Sequence, residues 1–194
     1  MLQQDLEKYK DSALELGATG AKVITSDMVL IDERVRAKCI YPICSRYGTN
    51  VHCPPYAMDL GEVRKIVSNF QYALFIKQVF AVDSDKGLPS QSQPHFFEII
   101  SKIEAAAFYD GYYLAMGFAG GPCKSAFCPD EECSALLLGQ PCRHPFRGRA
   151  SMEGVGMDAF AMAAKVGWDV YPIGGSVLPG EVPQRSRLGL VLIH

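Results

Sequence analysis

Seven cysteines, gathered in two stretches of the chain, constrain the fold more than any other feature of the sequence. Residues 39–56 hold Cys39, Cys44 and Cys53, and residues 120–149 hold Cys123, Cys128, Cys133 and Cys142. Both stretches are rich in proline and glycine, which interrupt helices and strands, so both are predicted to be loops. An odd number of cysteines does not close into a disulfide framework. The two loops are therefore predicted to bind metal through all seven thiols.

The spacing of the cysteines favours an iron–sulfur cluster over zinc. The first loop has the pattern C-x4-C-x8-C, and the last three cysteines of the second loop repeat it. The four thiolates of the second loop can complete either a tetrahedral zinc site or a cubane cluster. Zinc usually takes short knuckles with about two residues between paired ligands, whereas the gaps here are longer. We expect one or two [4Fe–4S] clusters, with zinc as the alternative.

The first loop has only three cysteines, which leaves its fourth metal position undecided. His52, Asp59 or a distant residue could supply a fourth ligand. Alternatively the position stays open, and open coordination is what distinguishes catalytic from structural metal sites. An open iron could bind a substrate, in a pocket lined by Tyr47, His52 and Tyr56.

Glycines and cationic residues flank the cysteines of the second loop. Gly120 and Gly121 allow the backbone to approach a cluster closely. Four further residues follow Cys142: Arg143, His144, Arg147 and Arg149. Their charges could stabilise an anionic cluster, bind an anionic substrate or dock an acidic redox partner. A solvated basic loop is the alternative interpretation.

Composition and charge are those of an ordinary globular protein. The chain has 194 residues, of which 48% are hydrophobic and 21% charged, with a formal net charge of −2. This balance favours neither nucleic acid nor a membrane surface as a partner. Residues 1–17 carry charges throughout, and no stretch reaches the roughly 20 apolar residues of a membrane span. We expect a cytoplasmic protein, whose oligomeric state the sequence leaves open.

Hydrophobic periodicity predicts alternating strands and helices. The predicted helices cover residues 2–16 and begin at Asp59, Pro94 and Ser151; the predicted strands cover residues 21–31, 34–39, 71–82, 112–118, 168–173 and 188–193. Asp59 and Glu62 have the spacing of a capping box. The strand–helix–strand order over residues 71–118 indicates a parallel crossover. We therefore expect a single α/β domain over residues 1–194, with a mixed, mainly parallel sheet and flanking helices; α+β is the alternative.

Three segments resemble an uncharacterised prokaryotic family of predicted metal-binding proteins. They are CSRYGTNVHCPPY at 44–56, AGGPCKSAFC at 119–128 and PCRHPFRGRASMEGVGMD at 141–158. The resemblance extends over nearly the whole chain. It implies metal binding by these same cysteines and says nothing about a reaction.

Three functions compete at this stage. The first is a redox carrier that passes electrons from its cluster or clusters to a partner protein. The second is an enzyme whose three-cysteine cluster binds substrate, and the third is a zinc-stapled interaction module. The sequence offers no serine or cysteine triad, no phosphate-binding loop and no clear pair of catalytic carboxylates. Since a chain of this size can build its own core without a metal staple, the redox carrier is the favoured function.

Overall fold

One five-stranded sheet organises the part of the chain that the computed structural model describes, residues 1–80, 92–137, 139–172 and 181–194. Its strands are β1 (Gly20–Thr25), β2 (Tyr72–Phe80), β3 (Met116–Ala119), β4 (Ala150–Ser151) and β5 (Arg185–Leu192). Their order across the sheet is β1-β2-β5-β3-β4. Every neighbouring pair of these strands is antiparallel except β3–β4. The sheet is thus mixed, as predicted, but the prediction that it is mainly parallel is wrong.

The described residues form seven α-helices. They are α1 (Leu2–Glu15), α2 (Glu33–Ala37), α3 (Leu60–Ser68), α4 (Ser92–Tyr109), α5 (Cys123–Phe127), α6 (Ser134–Leu137) and α7 (Ala159–Lys165). Two single 3-10 turns occupy Ser26–Met28 and Glu153–Val155. In the described ranges, every helix is too short or too polar to cross a membrane.

Helices cover both faces of the sheet because side chains alternate along its central strands. Leu74 and Ile76 of β2 point to the face that packs against α1 and α4. Phe75, between them, points to the opposite face and joins Phe118 and Leu190 beneath α3 and α7. All five side chains are at most 1% exposed. Burying a side chain of this size contributes about 1.5–3 kcal/mol, so the two faces supply most of the hydrophobic stabilisation.

Strand β5 explains why the parallel crossover was mispredicted. Strands β2 and β3 do run in the same direction, because each is antiparallel to β5. They do not pair, because β5 lies between them. Connection rules consider elements that follow one another along the chain. They do not predict that β5, from the C-terminal part of the sequence, lies between β2 and β3.

Residues 34–39 form a helix and a turn instead of the predicted strand. Asp32 caps α2, since its Oδ1 atom accepts the backbone N–H of Arg34 at 2.7 Å. The chain then turns, and Cys39 N–H donates to the carbonyl of Arg36 at 3.0 Å. Capping satisfies the first helical N–H groups locally. Among the described residues, no strand of the sheet pairs with residues 34–39.

The helix predicted from Ser151 is also interrupted. Ser151 belongs to β4, and its Oγ accepts the N–H of Gly154 at 3.0 Å to begin a 3-10 turn. Helix α7 starts only after Asp158, whose Oδ1 accepts the N–H of Ala161 at 2.9 Å. The strand predicted at 168–173 is absent from residues 168–172, and residue 173 lies outside the described residues, as do residues 81–82 of the strand predicted at 71–82.

The remaining predicted elements are confirmed with shifted ends. Helix α1 and strands β2, β3 and β5 lie where periodicity placed them, and β1 ends earlier, at Thr25. Helix α3 begins with the predicted capping box, in which Asp59 and Glu62 satisfy each other's backbone N–H groups. Helix α4 begins at Ser92, just before the predicted Pro94.

Candidate metal centre

The first cysteine loop folds around a small cavity. Cys44 N–H donates to the carbonyl of Cys39 at 3.0 Å, which curls the loop back on itself. Both residues and the buried Cys53 line a cavity of about 200 Å³, together with Arg46 and Tyr47. A cavity of about 10–15 Å³ already holds one water molecule, so this one is larger than a single ion needs. Three cysteines therefore line one space that is larger than a single ion needs.

The other wall of this cavity comes from a distant part of the chain. It consists of Gly121, Pro122, Ser151, Glu153 and Gly154. The Glu153 carboxylate accepts the hydroxyl of Ser151 at 2.8 Å and the N–H of Gly121 at 3.2 Å. Since Pro122 directly precedes Cys123, the start of the second loop borders the cysteines of the first.

Three of the four cysteines of the second loop lie at the ends of short helices. Cys123 is the first residue of α5, and Cys128 directly follows its last. The Cys133 carbonyl accepts the N–H groups of Leu136 and Leu137, both at 3.0 Å, at the start of α6. In the loop after α6, Cys142 Sγ accepts the N–H of His144 at 3.3 Å. All seven cysteines of the chain are free thiols.

Asn50 connects the two loops and was not among the predicted site residues. It is 1% exposed, and its Oδ1 atom accepts the N–H of His52 at 3.1 Å. The same atom lies 3.8 Å from Cys123 Sγ, and the Asn50 carbonyl accepts the Cys53 N–H at 3.4 Å. Buried amides are almost always hydrogen-bonded. Its position in the sequence, between the predicted ligands Cys44 and Cys53, was the signal that could have identified it.

Burial and mutual repulsion raise the pKa values of several of these thiols. Burial raises the pKa of Cys123 to about 12, and the charge of Cys53 adds more to this rise than that of any other cysteine. The pKa of Cys53 is raised to about 11, again mainly by burial. Burial also raises the pKa values of Cys39 and Cys128. Without metal these thiols keep their protons at neutral pH, so metal binding must displace protons.

Each arginine of the second loop has an acidic partner. The pairs are Arg143–Glu131 at 3.0 Å, Arg147–Glu98 at 3.0 Å and Arg149–Glu104 at 2.7 Å. Glu98 and Glu104 belong to α4, so the last two pairs tie the loop to that helix. Arg143 differs in that its charge and hydrogen bond lower the pKa of Cys128, against the effect of burial.

The histidines and tyrosines predicted around the site separate into different surroundings. Tyr47 lines the cavity of the first loop, whereas His52 and Tyr56 do not, and Tyr56 is 56% exposed. Burial and the charge of Arg149 lower the pKa of His52, which favours its neutral form. The Nδ1 atom of His144 lies 3.1 Å from Arg147 Nη2.

Both predicted glycines position the chain that leads to Cys123. A Cβ atom on Gly120 would lie 2.7 Å from the carbonyl oxygen of Leu188, so a larger residue would push β5 away. Gly121 has φ +83°, a left-handed conformation that glycine adopts without strain.

The thiols do not converge on the position of a single ion. Among the side chains that the structure describes, no group of three or more His, Cys, Asp or Glu could hold one metal ion. The cysteines instead lie along a cavity and along the two loops that meet at Asn50.

Comparison with known proteins agrees with a metal-binding role. Residues 22–193 match the family described as predicted metal-binding protein, DUF2284. No curated protein and no solved structure matches the chain. The family match contains all seven cysteines and covers most of the chain. The chain therefore belongs to this family of predicted metal-binding proteins.

Proposed function

We propose that the protein binds one or two [4Fe–4S] clusters through its seven cysteines and carries electrons to a partner protein in the cytoplasm. The observation that carries this proposal is the meeting of both cysteine loops at Asn50, beside a cavity of about 200 Å³. Membership of the family supports a metal. The iron, the sulfide and the redox role are our inference from the thiols and their arrangement.

The size of the cavity that Cys39, Cys44 and Cys53 line favours a cluster over zinc. Tetrahedral zinc, with Zn–S bonds of about 2.3 Å, needs four sulfurs within about 4 Å of one another. In a cubane each thiolate binds a different iron, so the sulfurs stand farther apart. Thiols lining a larger cavity suit the larger inorganic group.

Residues of both loops are placed to tune the charge of a cluster, which would supply one-electron redox chemistry. The N–H of Arg46 donates to Cys44 Sγ at 3.5 Å, and the N–H of His144 donates to Cys142 Sγ at 3.3 Å. Hydrogen bonds to ligand sulfurs spread negative charge and raise the reduction potential. The positive charge of Arg143, which lowers the pKa of Cys128, would likewise raise the reduction potential of a cluster bound there.

Exposure of the cysteine loops suits transfer to another protein. Cys44 is exposed, and the cysteines of the second loop are half-buried. An electron could therefore leave a cluster close to the surface. The paired arginines of the second loop are not a free cationic patch, so they give no reason to expect an acidic partner.

A second candidate function is an enzyme that binds substrate at an iron with an open position. The cavity beside Cys39, Cys44 and Cys53 favours it, because Tyr47 and Glu153 also line that space. The two candidates differ in what fills the cavity. In the carrier it holds the cluster, and in the enzyme it must also admit a small molecule.

Iron and acid-labile sulfide, measured after strictly anaerobic purification, test the proposal. We expect about eight irons and eight sulfides per chain for two clusters, or about four of each for one. We also expect reversible reduction and reoxidation, followed by electron paramagnetic resonance, without loss of iron. Zinc without sulfide would overturn the proposal in favour of the interaction module. A signal that shifts when small anions or thiols are added would favour the enzyme.

A further inference from the structure

We infer that Cys123 is the fourth ligand of the set formed by Cys39, Cys44 and Cys53, because it directly follows two residues that line their cavity and it contacts Asn50 of the same loop. Cys128, Cys133 and Cys142 are then the set that has three cysteines. This inference rests on the proposed function and deepens it. Grouping the cysteines by loop would instead assign Cys123 to Cys128, Cys133 and Cys142, which follow it in the chain.

The segment that leads to Cys123 lines the cavity of the first loop. Gly121 and Pro122, the two residues before it, line the same cavity as Cys39, Cys44 and Cys53. The amide of Gln93 donates to the Pro122 carbonyl at 3.0 Å and so anchors this segment to α4. Helix α5 therefore begins, with Cys123, at the border of the space that the first loop encloses.

The side chain of Cys123 also contacts Asn50 of the first loop. Cys123 Sγ lies 3.8 Å from Asn50 Oδ1, and Asn50 is buried and bonded through its backbone to Cys53. The charges of Cys53, Cys142, Cys133 and Cys128 all act on Cys123, and that of Cys53, from the first loop, acts most strongly. Because its thiol contacts Asn50, Cys123 is well placed to complete the ligand set of the first loop.

The spacing of the cysteines along the chain agrees with this assignment. Both loops contain the same C-x4-C-x8-C triad, and Cys123 is the one cysteine outside the two triads. With Cys123 assigned to the first triad, the incomplete triad is that of the second loop. The point where a Cβ of Gly148 would lie is 3.9 Å from both Cys142 Sγ and His52 Nε2. His52 of the first loop therefore lies close to Cys142 of the second.

Three matched alanine variants test the assignment: Cys39→Ala, Cys123→Ala and Cys128→Ala. Each is purified as the full chain, reconstituted anaerobically with ferrous iron and sulfide, and reduced for electron paramagnetic resonance. We expect Cys39→Ala and Cys123→Ala to remove or alter the same signal, and Cys128→Ala to alter the other. Circular dichroism shows whether each variant is folded. If Cys123→Ala does not fold, Cys123→Ser keeps the volume and, as an oxygen ligand, should shift the g-values of the signal that Cys39→Ala alters.

The outcomes separate this inference from the function on which it rests. If Cys123→Ala alters the signal that Cys128→Ala alters, or alters both signals, the inference is overturned and the iron–sulfur proposal stands. The natural chain could also hold a single cluster. Loss of that cluster in Cys39→Ala and Cys123→Ala, but not in Cys128→Ala, then supports the inference. Any other pattern overturns it. A chain that takes up neither iron nor sulfide overturns both.

Discussion

The Oδ1 atom of Asn50 lies 3.8 Å from the Sγ atom of Cys123, although the two residues are 73 positions apart in the chain. A buried amide of the first cysteine loop thus contacts a thiol of the second. The two loops therefore touch at this point, although they are far apart in the chain.

Replacing Asn50 with alanine should destabilise the protein and weaken metal retention. The substitution leaves the N–H of His52 without its acceptor, and an unsatisfied buried group costs about 1–3 kcal/mol. Urea unfolding under anaerobic conditions measures the loss of unfolding free energy, and iron analysis after dialysis measures retention. Asn69→Ala is the matched control, because Asn69 is exposed at the end of α3 and should change stability by less than about 0.5 kcal/mol. Equal effects of the two variants would contradict the role of Asn50.

Replacing Cys128 with serine should remove about four irons per chain and lower the melting temperature, because metal binding and folding are coupled. Iron and sulfide analysis with thermal unfolding measures both effects. Ser125→Ala, within α5 between Cys123 and Cys128, serves as the control and should keep the full metal content. Unchanged iron in Cys128→Ser would refute its assignment as a ligand.

Removing the carboxylate of Glu104 should cost more than removing that of Glu98. Glu104 Oε2 accepts Arg149 Nε at 2.7 Å and the N–H of Gly117 at 2.5 Å, and the side chains of the Arg149–Glu104 pair are 16% and 20% exposed. We expect Glu104→Ala to lower the unfolding free energy by about 1.5–3 kcal/mol.

Glu98→Ala is the control on the same helix. Its pair with Arg147 is more solvated, with side chains 34% and 43% exposed, so we expect a loss of about 0–1 kcal/mol. Both values come from denaturant unfolding. A loss for Glu98→Ala as large as that for Glu104→Ala would show that burial does not distinguish the two pairs.

The pKa of Asp32 should depend on Arg34. The Arg34 side chain, and then its backbone N–H, hold the pKa of Asp32 at about 2. Because the folded pKa lies below the ordinary carboxyl value, ionised Asp32 stabilises the folded state near neutral pH. That contribution is lost as the pH falls from the ordinary carboxyl range through about 2.

Titration of the Asp32 carboxyl by NMR tests this dependence. In Arg34→Ala we expect the pKa to rise toward the ordinary range, because the guanidinium bonds at 2.6–3.1 Å are gone. In Arg64→Ala, which removes only a weaker and more distant charge, we expect a smaller rise. An unchanged pKa in Arg34→Ala would contradict the assigned cause.

Local signals in the sequence predicted much of the fold because their physical causes are local. The capping box of Asp59 and Glu62 needs only residues three apart, and it starts α3 as predicted. The apolar run of β2 indicated a strand covered on both faces, and helices cover both of its faces. Where two local signals competed, at residues 34–39, the alternating pattern gave way to the cap supplied by Asp32.

The ion pairs of the second loop show what local signals miss. The run from Arg143 to Arg149 indicated cations around a cluster, an anion pocket, a docking patch or a solvated basic loop. In the fold, Glu98 and Glu104 of α4 reach two of these arginines across 45 or more positions of sequence. Opposite charges at such separation pair only when the helix and the loop pack together, which no spacing rule anticipates.

The sequence by itself determined that two loops carry seven thiols, where most helices and strands lie, and that the chain resembles predicted metal-binding proteins. These properties follow from residue type, spacing and short-range periodicity. Only the tertiary structure decided that β5 separates β2 from β3, and that Asn50 and Cys123 meet. Both depend on which distant segments become neighbours, and that is set by how the whole chain buries its apolar faces at once.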